Sequence, residues 1–142
     1  MDNVTFCFKR KEKDEFQFRD DKRKNGWEII IPGASVPSGN PKFEILPILI
    51  GDEKKIDGPN MFCRALAKKV AGQALAEHFI EYQNEIPENL RGKALIFAGT
   101  LWLDDDSLYV PCLYWSGDKW YLDFYYLDND WYSNDCFFCL CA

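Results

Sequence analysis

The sequence predicts an α+β fold: one long helix packed on an antiparallel sheet, with a C-terminal four-stranded meander. Three observations predict it. Residues 61–84 carry apolar side chains at helical spacing. Residues 94–141 alternate strand-length apolar runs with Asp- and Gly-containing turns. Short alternating segments near the N-terminus add further strands. At 142 residues the chain suits one domain, 1–142, because a second core would leave each half too small to bury its own apolar surface.

In chain order, Val4, Phe6 and Phe8 share one face of a first strand, and Phe16 and Phe18 share a face of a second. The charged stretch Lys9 to Asp14 reads as the hairpin tip between them. A second charged turn, Asp20 to Asn25, ends at Gly26 and leads into the strand Trp27 to Ile31. Residues 32–41, rich in Pro and Gly, form an irregular surface connection. Residues 42–50 form a further strand, and Pro47 pushes it toward a sheet edge or a bulge, since proline donates no ladder bond.

Asn60 is the expected N-cap of the helix. Cys63, Leu66, Ala67, Val70, Ala71, Ala74, Leu75 and Phe79 make its apolar stripe, while Lys68, Lys69, Gln73 and Glu77 lie outside. Pro87 and Gly92 mark the exit loop. The meander strands fall near 94–103, 107–115, 119–127 and 131–141, joined by Asp104-Asp105-Asp106, Ser116-Gly117-Asp118 and Asp128-Asn129-Asp130. The first of them is apolar on both faces and should be central.

Composition narrows the function classes. Nearly half the residues are hydrophobic, which excludes wholesale disorder. No apolar run reaches membrane-spanning length, so no membrane partner is expected. Met1-Asp2-Asn3-Val4 has no features of a signal peptide, so the six cysteines are expected as thiols in the cytoplasm. The net charge of −6 disfavours nucleic acid as a partner. Charge is also unevenly placed: residues 94–142 hold one base, Lys119, against eight acids, all Asp, together with 14 of the 23 aromatic residues.

Cys136, Cys139 and Cys141 contain C-x-x-C and C-x-C spacings. On a strand Cys136 faces away from the other two, so the three do not converge on a metal. Buried structural thiols are the expectation, with no cofactor. His78, the only histidine, points toward the apolar stripe. A catalytic dyad would need a cysteine, serine or carboxylate brought to it by tertiary folding. The Lys9-Arg10-Lys11 and Lys22-Arg23-Lys24 clusters are diluted by neighbouring acids and read as solubilising turns.

Turn chemistry explains most of the aspartates, but Asp123 and Asp135 sit inside expected strands, where Asp is disfavoured. Tyr121, Asp123 and Tyr125 share a face at period two. Trp115, Asp118, Asp128, Asp130, Trp131 and Tyr132 are expected around its rim. Rings among carboxylates suit a basic protein partner, through cation–π contacts and charge steering. The leading expectation is therefore a small binding or inhibitory protein, of the size and charge that immunity and inhibitor proteins share. An enzyme built around His78 and a carbohydrate- or small-ligand-binding module are the alternatives. The first requires a pocket that contains His78; the second requires a concave aromatic platform.

Overall fold

A computed structural model describes residues 4–7, 18–37, 39 and 41–141, the first four as backbone only. The elements in order are β1 (Val4–Cys7), β2 (Glu28–Ile31), β3 (Lys42–Pro47), α1 (Gly58–Leu66), α2 (Gln73–Glu81), β4 (Ala94–Ile96), β5 (Leu101–Asp104), β6 (Ser107–Ser116), β7 (Lys119–Tyr126) and β8 (Asp135–Leu140). The expected hairpin tip at Lys9 to Asp14, with its basic cluster, and the expected strand start at Phe16 lie outside the described residues. The charged turn before Gly26 is a short 3₁₀ helix, Lys22–Asn25, capped by Asp21 and closed by Gly26 at φ +86°.

All eight strands join one curled mixed sheet in the order β1-β3-β8-β4-β6-β5-β2, with β7 on the other side of β6. The long β6 pairs with β5 through Ser107 to Tyr109 and with β4 through Cys112 and Leu113. One strand thus serves two branches, and the sheet curls into a half-barrel.

The expected fold class of one long helix on an antiparallel sheet with a four-stranded meander is corrected on both counts. First, the helix is two helices. The chain leaves α1 after Leu66, and residues 69–71 run extended beside β8: Leu140 N–H donates to the Lys69 carbonyl, and Ala71 N–H donates to the Phe138 carbonyl. Strand β4 covers β8 only as far as Phe137, so this short stretch supplies the backbone partners that β4 leaves wanting. Gly72 then allows a close junction. A Cβ there would stand 2.5 Å from Thr100 Oγ1, a crowding that side chains elsewhere do not tolerate.

Second, the C-terminal strands are not a meander. The chain leaves β7 through an irregular stretch in which Trp131 bridges Ile56, its N–H donating at 2.8 Å and its carbonyl accepting at 3.0 Å. It then inserts β8 between β3 and β4, antiparallel to β3 and parallel to β4. The expected strand 94–103 is likewise two, β4 and β5, parted by the turn at 97–100.

Both faces of the central strands are buried. Along β8, Cys136 and Phe138 enter one core with α2, while Phe137 and Cys139 enter another with α1. The α2 core adds Phe43, Ile45, Leu75, Phe79, Leu95, Phe97, Leu113 and Trp120. The α1 core adds Ile48, Met61, Ala65, Ile96, Val110, Leu127 and Trp131. A strand covered on both faces reads as a continuous apolar run, and Cys136 to Leu140 is one.

Candidate functional site

The β6–β7 hairpin carries most of the acidic aromatic surface. A tight turn at Gly117 (φ +70°) and Asp118 fixes its register. Tyr121 then lies opposite Tyr114, Asp123 opposite Cys112, and Tyr125 opposite Val110, all on the α1 face of the sheet. The Tyr114 and Tyr121 rings stack with centroids 5.6 Å apart and planes 20° apart. Lys119 Nζ stands 5.1 Å from the Tyr121 ring centroid.

Going from Tyr121 to Tyr125 the surface passes from exposed to buried. Tyr121 and Asp123 are exposed, whereas Tyr125 is half-buried and packs on Trp131 at 6.1 Å. Burial pushes the Tyr125 phenol well above the ordinary tyrosine value, and Cys112, Asp135 and Asp123 add to that in the same direction. Asp135, at the start of β8, also faces this group. Burial raises its carboxyl above the usual value, and the Tyr132 N–H that it accepts at 2.8 Å works against that rise. Beneath them Cys112 is fully buried, and loss of solvation raises its thiol far above the ordinary value, so it is packing and not a nucleophile.

Asp123 has a local reason for being in a strand. Its Oδ1 accepts the N–H of Phe124 at 2.8 Å, on the side of β7 away from β6. The disfavoured residue satisfies a backbone donor that no neighbouring strand takes.

The other rim residues scatter. Asp118 is exposed at the hairpin tip. Trp115 is on the opposite face, edge-on to Trp120 with the Arg91 guanidinium 3.9 Å from its ring. Trp131 is 1% exposed and donates its indole N–H to the Leu127 carbonyl, so it supports Tyr125 from below. Asp130 pairs with Lys55 at 3.2 Å, Asp128 accepts the Tyr126 hydroxyl at 3.4 Å, and Tyr132 is exposed.

The structure thus brings together Tyr121, Asp123 and Tyr125 and adds two residues that the rim omitted. Tyr114 was readable from the hairpin register alone. Asp135 was conspicuous as a strand aspartate, but only the insertion of β8 beside β4 brings it here.

The His78 side chain is only 8% exposed. Its Nε2 lies 3.1 Å from Glu85 Oε1, and its ring packs on Tyr82 and Phe79 at 4.8 and 5.3 Å. A groove of about 300 Å³ lined by Pro47, Leu49, Gly51, Glu53 and Ser133 lies elsewhere and holds neither His78 nor the tyrosines. Cys136 and Cys139 fall on opposite faces of β8, as strand alternation requires. Among the described residues no three His, Cys, Asp or Glu side chains converge to hold a metal ion. No described helix is long and apolar enough to cross a membrane.

Comparison of the chain with known protein families, with curated proteins and with solved structures yields no match.

Proposed function

We propose that this chain is a small binding or inhibitory protein that engages a basic protein partner through the outer face of its β6–β7 hairpin. One observation carries the reading: Tyr114, Tyr121, Asp123 and Tyr125 on the β6–β7 hairpin and Asp135 at the start of β8 gather rings and carboxyls on one face of the sheet. A lysine or arginine side chain laid on it would meet the faces of the tyrosines and the charges of the aspartates together. Asp135 would favour such a guest further, because burial raises its carboxyl and a cation laid beside it would offset the cost of its ionised form. Asp118, Asp128 and Asp130 would act at longer range by steering encounter.

A synthetic arginine-rich peptide is a sufficient first probe. In an amide and side-chain NMR titration, resonances of Tyr114, Tyr121, Asp123 and Tyr125 should move at low salt and return as salt is added. The double substitution Asp123→Lys and Asp128→Lys should slow association roughly tenfold, with a smaller effect on dissociation. An unchanged on-rate in that variant, or shifts spread over every acidic patch, refutes the electrostatic reading of this face.

A further inference from the structure

Among the described residues strand β7 is an edge strand, bonded to β6 on one side. Its register shows which backbone groups face outward. Leu127 N–H donates to the Leu108 carbonyl, so Tyr125, Asp123, Tyr121 and Lys119, at steps of two, share the bonds to β6. Trp120, Leu122, Phe124 and Tyr126 therefore turn their N–H and C=O groups to the open side.

Four of those eight groups are capped among the described residues. The Gln83 carboxamide binds Trp120 twice: it accepts the Trp120 N–H at 2.8 Å and donates to the Trp120 carbonyl at 3.0 Å. A primary amide has the same donor and acceptor pair as a peptide group, so Gln83 stands where a residue of a ninth strand would stand. Asp123 Oδ1 takes the Phe124 N–H at 2.8 Å, and Asn129 N–H donates to the Tyr126 carbonyl at 3.1 Å. The Leu122 N–H and C=O, the Phe124 C=O and the Tyr126 N–H face no described strand or cap.

We infer that Gln83 and Asp123 guard the β7 edge, and that without them a second copy of this chain adds its own β7 there. A long aromatic edge strand is a template for such pairing, and natural sheets close edges with side chains of this kind. The occupant follows from the strand's own sequence. An antiparallel pairing centred on Leu122 sets Leu122 against Leu122 of the second copy and Trp120 against Phe124 of the second copy. It brings each Tyr121 beside an Asp123 position of the second copy, and it keeps Asp123 from lying directly opposite its own copy. The two-fold arrangement closes on itself as a dimer. With the guards in place, the Gln83 carboxamide occupies the position that Phe124 of the second copy needs.

This inference does not rest on the proposed basic partner, and its test needs none. Sedimentation velocity over a wide concentration range should find the unaltered chain monomeric. The double variant Gln83→Ala with Asp123→Ala should form a discrete dimer. Hydrogen exchange in that dimer should gain protection at the Leu122 and Phe124 amides. Gln83→Leu in the Asp123→Ala background still fills the place that Phe124 of the second copy needs, so it should stay monomeric where Gln83→Ala in the same background dimerises. A folded double alanine variant that stays monomeric overturns the inference. So do polydisperse aggregates whose core amides have lost protection, or an unaltered chain that is already dimeric through Leu122.

Discussion

On its α2 face the sheet meets rings. Phe138 lies 5.3 Å from both Phe43 and Phe79 and stacks on Phe97 at 4.9 Å. On its α1 face, one residue earlier in the same strand, Phe137 lies among Ile, Leu, Val, Met and Cys side chains with Trp131. The polar anchoring differs as well. α1 begins with an ordinary exposed cap: Asp57 accepts the Asn60 N–H, and Pro59 sits in the first turn. α2 has no side-chain cap of its own; its first turns meet a buried polar network. Gln73 N–H donates to Thr100 Oγ1, Gln73 Oε1 accepts the Trp102 indole, and the nearly buried Glu77 carboxylate accepts the Arg19 and Asp20 N–H groups. α1 is capped within its own turn and tied at its end by Arg64 to Glu53 and the Ile48 carbonyl, whereas the start of α2 depends on groups from distant segments.

The largest effects should come from the cores. Phe138→Ala should cost about 4 kcal/mol in urea denaturation, and Phe137→Ala distinctly less. Rings fixed by three other rings cannot close a void, whereas a face holding Met61 and aliphatic chains relaxes into it. Equal costs would abolish the contrast between the faces.

The α1 face has its own weak point at Gly58. A Cβ there would come 1.7 Å from the Leu127 carbonyl oxygen, which is backbone and cannot step aside. Gly58→Ala should destabilise by about 3 kcal/mol, and the loss should appear first in exchange of amides in the Ile56–Trp131 bridge.

Glu77→Ala should cost about 2 kcal/mol, because two part-buried backbone donors and the buried Gln73 carboxamide lose their acceptor. Exchange should rise at the Arg19 and Asp20 amides while the Asp57 cap of α1 stays unchanged. Equal loosening of both helices would show that the network does not serve α2 in particular.

The smallest effects concern two carboxyls near the α1 side with opposite signs. Side-chain hydrogen bonds from Arg64, with the Ile50 N–H, depress Glu53 to about 2 from its ordinary 4.5. Its contribution is complete above the ordinary value and is lost as pH falls toward 2. Glu53→Gln should therefore lower stability at neutral pH and flatten the acid limb between those values. Asp135 is raised by burial, so its ionisation weakens the fold as pH climbs through its ordinary range. Asp135→Asn keeps an acceptor for Tyr132 N–H and should leave neutral-pH stability equal or slightly higher. Thermal melts from pH 2 to 7 distinguish the two.

Much of the secondary structure was legible because its causes are local. Alternation at Tyr121, Asp123 and Tyr125, the Gly117-Asp118 turn and the Asp105 turn at φ +57° follow from side-chain period and turn chemistry. The shared face of the three hairpin residues was therefore readable in advance. The single helix was misread because a 3.6-residue apolar pattern is equally served by two helices, and Gly72 inside the stripe was the unread signal. Trp131 was misplaced on the rim because its burial depends on Ile56, far away in the chain.

By itself the sequence determined an acidic, aromatic domain with strand-length segments, an Asp-rich C-terminal third, and the face that Tyr121, Asp123 and Tyr125 share. Tertiary structure alone decided that β8 enters parallel beside β4, that residues 69–71 pair with β8, and that Asp135 joins the tyrosines. The reason is physical: periodicity records which side of an element is apolar, whereas strand order depends on which distant backbone groups still lack partners.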